Sequence, residues 1–113
     1  MSMYDSLYVA KSIVIPGYPE TESRDFEIGE FKNNLDRYEL TSGNELIQTA
    51  DGSLRRGAYY KKHFVNYTGI IVLEYGYKES KESNKWVIFW WNLYFVNGKF
   101  VRVEVAENGF ANG

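Results

Sequence analysis

The sequence contains no cysteine, and histidine occurs only once, at His63. The absence of cysteine excludes a disulfide scaffold, a thiol nucleophile and the cysteine-ligated zinc and iron–sulfur sites. A zinc site built on His63 would need carboxylates for all of its other ligands. Lys61 and Lys62 beside His63 indicate a solvated strand edge rather than a catalytic base. We therefore predict a protein with no enzymatic activity, no metal and no cofactor.

Long apolar runs are also missing from the sequence. A membrane-spanning helix needs about 20 consecutive apolar residues, and no run approaches that length. Residues 1–17 lack a basic leader, and Asp5 stands where a signal peptide would carry positive charge. We expect a cytoplasmic protein without a membrane partner. The length of 113 residues fits one domain over residues 1–113, with a frayed tail at 107–113.

The charged residues are unevenly distributed along the chain. The formal net charge is −2, which does not match a nucleic-acid partner. Residues 1–53 carry four positive and ten negative groups, whereas residues 54–113 carry nine positive and five negative groups. The sequence predicts a dipolar surface unless folding interleaves the two halves.

Aromatic residues are abundant, at 18% of the chain, and glycine (ten) far outnumbers proline (two). Aromatic residues favour strands, and glycines favour tight turns between them. We predict a mainly β fold, an antiparallel sheet of five or more strands that ends in a C-terminal β-meander. An α+β fold stays open because Ile28, Phe31, Leu35 and Tyr38 have helical spacing, which would place one short helix within residues 28–38.

The last two predicted strands, 86–96 and 99–106, form a hairpin around Asn97-Gly98. A two-residue turn without a bulge would place charged residues of the second strand on the core face. A three-residue loop, Val96–Gly98, instead pairs Leu93 with Val101 and Trp91 with Val103. We therefore predict the three-residue loop, with Gly98 in the left-handed position of a bulge.

The face of this hairpin that points away from the core has a mixed composition. It is too apolar for a plain solvent face and too polar for a deep core. Either the N-terminal strand or segment 28–38 covers it, or it is an exposed contact surface. In the predicted register Asn92 lies across from Arg102 and Tyr94 across from Phe100. For an exposed surface, the predicted partner-binding residues are Trp86, Trp90, Tyr94 and Arg102.

A basic and aromatic segment offers an alternative function. Its cations could meet phosphates and its tyrosines could stack on bases. Basic residues on an edge strand also deter aggregation, so this pattern has a purely structural explanation as well. The candidate nucleic-acid-binding residues are Arg55, Arg56, Tyr59, Tyr60, Lys61 and Lys62.

A run of acidic residues precedes the central part of the chain. It lacks the alternating oxygens around a central glycine that a calcium loop needs, so it predicts a solvated acidic face. The run consists of Glu20, Glu22, Asp25, Glu27 and Glu30.

Several short motifs together resemble small uncharacterised proteins carried by bacteriophages and prophages. They are Met3-Tyr4-Asp5-x-Leu7-x-Val9, Leu35-Asp36-x-Tyr38-x-Leu40, Asp51-Gly52-x-Leu54, Tyr67-x-Gly69-x-Ile71 and a Trp-containing strand before Asn97-Gly98-Lys99. The sequence departs from this pattern at Pro16–Pro19. The resemblance brings no known activity with it. It implies a module that binds a host or virion protein, of which an inhibitor of a host defence factor is one concrete version. Self-association is the other outcome that the sequence leaves open.

The nucleic-acid alternative makes a direct prediction. Binding of a labelled oligonucleotide should weaken steeply as salt rises, because cations that contact phosphates release condensed counterions. Reversing the charges of Lys61 and Lys62 should abolish the binding. A mobility-shift assay at low and high salt measures both effects. Salt-insensitive binding, or no shift at low salt, contradicts this alternative.

Overall fold

The structure is a computed structural model that describes residues 4–31, 33–54, 60–78, 80–82 and 84–112, with backbone only for 107–112. The described residues contain strands and no helix. The strands are β1 (Asp5–Val9), β2 (Asp25–Ile28), β3 (Arg37–Leu40), β4 (Leu46–Ala50), β5 (His63–Phe64), β6 (Gly69–Lys78), β7 (Lys85–Val96) and β8 (Lys99–Asn112). The predicted β class is therefore confirmed, with more than five strands.

The strands form two sheets. One has five strands in the order β2-β1-β3-β4-β5, and the other has three in the order β6-β7-β8. The second sheet is the predicted C-terminal meander, with both of its strand pairs antiparallel. In the first sheet β1 and β3 are parallel, which differs from the predicted antiparallel arrangement. The pair is parallel because the chain returns along β2 on one side of β1 and then crosses to the other side.

The two sheets share one hydrophobic core. Side chains of a strand alternate between its two faces, so one face of each sheet can supply apolar side chains to the core. In the second sheet, Ile71 lies opposite Leu93 and Leu73 opposite Trp91, and all four are buried. The first sheet and the segment after β1 supply Leu7, Val9, Ile13, Ile15, Phe26, Ile28, Tyr38, Leu40 and Leu46.

The short helix considered for residues 28–38 is wrong for the described residues of that segment. β2 ends at its start and β3 begins at its end, and a loop connects them. Asn33 and Leu35 have φ values of 56° and 60°, which a right-handed helix cannot contain. The buried carboxylate of Asp5 accepts hydrogen bonds from the N–H groups of Asn33, Asn34 and Asp36 at 2.9–3.0 Å. These hydrogen bonds to the buried carboxylate fix the conformation of the loop. The spacing of apolar residues in the sequence gives no sign of them.

The predicted three-residue loop of the last hairpin is also wrong. Val96 pairs with Lys99, so the connection is the two-residue turn Asn97-Gly98. Asn97 has a φ of 50° and Gly98 a φ of 77°. Left-handed backbone at both central residues is the type I′ geometry that matches the twist of a hairpin.

A bulge at Val101 corrects the register that a two-residue turn would otherwise impose. Phe95 pairs with Phe100, but Tyr94 pairs with Arg102, so Val101 has no directly opposite partner. Beyond this extra residue, Leu93 pairs with Val103 rather than with the predicted Val101. The bulge therefore places Val103 and Val105 opposite the core-facing Leu93 and Trp91.

The last residues of the chain continue the meander. The backbone of β8 is paired with β7 as far as Asn112. The frayed tail expected from residue 107 stays a prediction. The pairing extends this far because β7 begins at Lys85, which lies opposite Asn112.

Gly52 should be intolerant of any side chain. Its N–H donates to Asp36 Oδ1 at 2.8 Å, and a Cβ atom on it would lie 1.8 Å from the backbone oxygen of Asn34. We expect Gly52→Ala to lower the free energy of unfolding by about 2 kcal/mol, as forced overpacking does. The measurement is urea unfolding.

The matched control is Gly43→Ala. A Cβ atom at Gly43 would meet Thr41 Oγ1 at an ordinary 3.7 Å, and Gly43 is not left-handed. We expect the free energy of unfolding of the Gly43→Ala variant to change by no more than about 0.5–1 kcal/mol. Equal effects of the two substitutions would contradict the close approach at Gly52.

Candidate contact surface

Two adjacent tryptophans in β7 point to opposite faces of the three-stranded sheet. Trp91 is 1% exposed, and its Nε1 donates to the backbone oxygen of Pro16 at 2.7 Å. The ring of Tyr18 meets the Trp91 ring edge-on, with centroids 5.8 Å apart. Because successive side chains alternate, the fixed position of Trp91 places Trp90 on the opposite face.

We call that opposite face the outer face. It carries three large aromatic side chains on its central strand, and all three are partly exposed. In the ladder, Trp86 lies opposite Lys78, Trp90 opposite Glu74, and Tyr94 opposite both Ile70 and Arg102. The residues of the outer face are Ile70, Val72, Glu74, Gly76, Lys78, Trp86, Ile88, Trp90, Asn92, Tyr94, Arg102 and Glu104.

The sequence left open whether another element covers this face. The N-terminal strand contributes Leu7 and Val9, and segment 28–38 contributes Ile28, to the core on the inner side of the sheet. None of the outer-face residues belongs to the core cluster or packs against it. Neither candidate cover packs its apolar side chains on the outer face in the described part of the chain. Segment 28–38 reaches only its edge, where Glu30 Oε1 accepts from the N–H of Val72.

Arg102 lies over an aromatic ring. Its Cζ atom lies 3.8 Å from the ring centroid of Tyr94, within the range of a cation–π contact. Its Nη1 donates to Glu104 Oε2 at 2.9 Å, and this hydrogen bond raises the pKa of Arg102. An exposed ion pair of this kind contributes little to folding. It does fix the direction of the guanidinium group.

The bulge at Val101 also changes the predicted pairs on this face. Arg102 lies opposite Tyr94 and not opposite Asn92, which pairs with Glu104. Phe100 was expected on the outer face, but it pairs with Phe95 and packs against the core. The four predicted contact residues nevertheless lie on one face.

Sequence reasoning missed the contribution of β6 to this face. Ile70 and Val72 are 39% and 38% exposed, and Lys78 Nζ lies 5.8 Å from the centroid of the Trp86 ring. The alternation of residues 70, 72, 74, 76 and 78 was a readable signal. Their neighbours in the sheet, however, follow only from the pairing of β6 with β7.

The basic segment is only partly described. Arg55, Arg56 and Tyr59 lie outside the described residues. Lys61 and Lys62 are exposed. The nucleic-acid alternative stays a prediction.

Tyr60, the remaining tyrosine of the basic segment, contacts the histidine. Its hydroxyl lies 3.2 Å from His63 Nδ1. Burial, with the carboxylates of Asp51 and Asp36 nearby, raises the pKa of Tyr60. One of the two tyrosines proposed to stack on bases is therefore already in contact with a protein side chain.

Within the described residues, no group of three or more histidine, aspartate or glutamate side chains could hold a metal ion. The same residues include no helix of the length and apolarity that crossing a membrane requires. Comparison of the chain with protein-family models, with curated proteins and with solved structures finds no match.

The two adjacent tryptophans should respond differently to substitution. Trp91→Phe removes the hydrogen bond to Pro16 and leaves a cavity, so we expect a loss of about 2–3 kcal/mol in unfolding free energy. Trp90→Phe should cost less than about 1 kcal/mol because its ring borders solvent. Urea unfolding of the two variants measures the difference. A larger loss from Trp90→Phe would contradict the assignment of the two faces.

Proposed function

We propose that this protein is a non-catalytic protein-binding module whose contact surface is the outer face of its three-stranded sheet. One observation carries the proposal. Trp86, Trp90, Tyr94 and Arg102 share a sheet face that no other described element covers. Tryptophan, tyrosine and arginine are the residues that most often dominate the energy of protein interfaces.

The position of these residues on a central strand supports the proposal. β7 is paired on both sides along its length, so its backbone is held by two ladders. Aromatic side chains on such a strand lose little conformational entropy when a partner covers them. Partial exposure of these aromatic side chains to water is unfavourable, and it does not stabilise the isolated protein.

Charged groups around the aromatic side chains support a specific rather than a general adhesive surface. Glu74 and Glu104 supply negative charge, and Lys78 and Arg102 supply positive charge. A partner would have to match this arrangement, because like charges brought together across an interface oppose binding. The resemblance to phage and prophage proteins suggests a host or virion protein as the partner. A host defence factor is the concrete version that we propose.

The test is affinity capture from lysate of the host cell, with nuclease present and absent. We expect the wild-type protein to retain a stoichiometric protein partner that survives nuclease. Trp86→Ala and Arg102→Ala should each weaken the purified complex by at least about tenfold, as at interface hot spots. Binding to the purified partner is measured by titration calorimetry.

The matched control is Tyr8→Ala, which truncates an aromatic side chain of β1, 39% exposed, in the other sheet. This variant should bind like the wild type, and thermal unfolding checks that all variants are folded. Equal binding by all variants would contradict the assigned surface. Recovery of nucleic acid alone would favour the basic segment, and recovery of the protein alone would indicate self-association.

A further inference from the structure

An open groove lies between the edge strands of the two sheets. β2 is the last strand of the five-stranded sheet and β6 the last of the three-stranded sheet, and the two lie side by side. The groove has a volume of about 660 Å³. Its walls include Glu27 of β2, Glu74 and Gly76 of β6, and the aromatic rings of Tyr75 and Trp90.

The edge of β6 turns backbone groups toward this groove. The N–H of Val72 donates to Glu30 Oε1 at 3.3 Å, and the C=O of Ile70 accepts from the Tyr67 hydroxyl at 2.9 Å. Both groups therefore point away from β7. In an antiparallel ladder the direction alternates from residue to residue, so Glu74 and Gly76 point the same way. No described residue hydrogen bonds to the N–H or C=O of Glu74 or Gly76 on that side.

The opposite wall has the same character. The C=O of Arg24 accepts from the N–H of Val9 and therefore points toward β1. By the same alternation the backbone groups of Glu27 point away from β1. Unpaired edges of this kind are where an extended peptide can add as a further strand.

The charge of the groove selects the occupant. Its carboxylates come from β2, β6 and the adjoining loops, namely Glu22, Asp25, Glu27, Glu30 and Glu74. Asp25 is neutralised by Arg37 at 3.1 Å. Glu27 and Glu74 form no ion pair with any described residue. Burial raises the pKa of Glu30, against the opposing effect of the Val72 hydrogen bond. An anionic, partly desolvated groove is complementary to cationic side chains.

We propose that the β6 edge of this groove binds an extended basic peptide segment by strand addition. The backbone groups of Glu74 and Gly76 supply the main-chain hydrogen bonds. Glu27 and Glu74 meet lysine or arginine side chains that alternate along the peptide. Gly76, near the C-terminal end of β6, has no side chain, which leaves room for a close approach. The inference rests on the proposed function in one respect, that the ligand is a polypeptide.

The probe is an end-blocked heptapeptide of alternating lysine and valine, titrated into the full chain by calorimetry. We expect binding that weakens with added salt, because the contacts include exposed charges. Glu27→Gln combined with Glu74→Gln should weaken the binding on the order of tenfold. Glu39→Gln, on β3 of the first sheet, is the control and should bind like the wild type. Amide shifts in NMR spectra should be largest at Glu74 and Gly76.

Two further peptides separate the backbone contribution from the charge contribution. The same peptide with alternating N-methyl groups lacks the donors on one edge and should lose binding. A glutamate–valine peptide should bind at least about tenfold more weakly, because it brings like charges together. Equal binding of either peptide, an unchanged double variant, or an equal loss in Glu39→Gln would overturn the proposal.

The outer-face variants distinguish failure of this inference from failure of the proposed function. Trp86→Ala and Arg102→Ala should bind the basic peptide as the wild type does, because neither residue borders the groove. If the peptide binds but no protein partner is captured, the groove proposal is supported and the outer face is rejected as a contact surface. If capture of a protein partner depends on Trp86 and Arg102 but the peptide does not bind, the outer face is supported and the groove proposal is rejected.

Discussion

The indole of Trp91 ties the three-stranded sheet to the β1–β2 loop of the five-stranded sheet and fixes the orientation of the central strand β7. It is buried between the sheets, it donates to the backbone oxygen of Pro16, and it meets the ring of Tyr18. Since strand side chains alternate, placing this one residue inward sets the direction of every other residue of β7. The outer face is therefore a consequence of how the core is closed. A tryptophan at position 90 cannot join the core while Trp91 occupies it.

Much of this fold follows from the alternation of the sequence, and the exceptions have identifiable physical causes. The meander and the inward face of β7 were predictable because strong period-2 patterns and an Asn-Gly turn specify them locally. The register of the last hairpin was not, because it depends on the bulge at Val101. A bulge reverses the relation between position and face, and a single sequence does not mark where it occurs.

The false helical spacing near Phe31 and Leu35 has a different cause. The Asp5 carboxylate is buried and binds three backbone N–H groups from residues about 30 positions further along the chain. A tertiary contact of this kind overrides local propensity. The grouping of acidic residues into one groove was out of reach for the same reason. Glu27 and Glu74 are distant in sequence, and they line one groove only because two sheet edges lie side by side. The four aromatic and basic contact residues, by contrast, lie within one hairpin and could be grouped from the sequence.

The central claim is that the aromatic side chains of the outer face are uncovered in the free protein while Trp91 is sealed in the core. Paramagnetic relaxation of the indole ring protons by a soluble gadolinium chelate tests it most directly, because all three tryptophans are read in one NMR experiment. The account predicts strong broadening for Trp86 and Trp90 and almost none for Trp91. Protection of Trp86 and Trp90 equal to that of Trp91 would contradict it, since the outer face would then be covered and could not receive a partner.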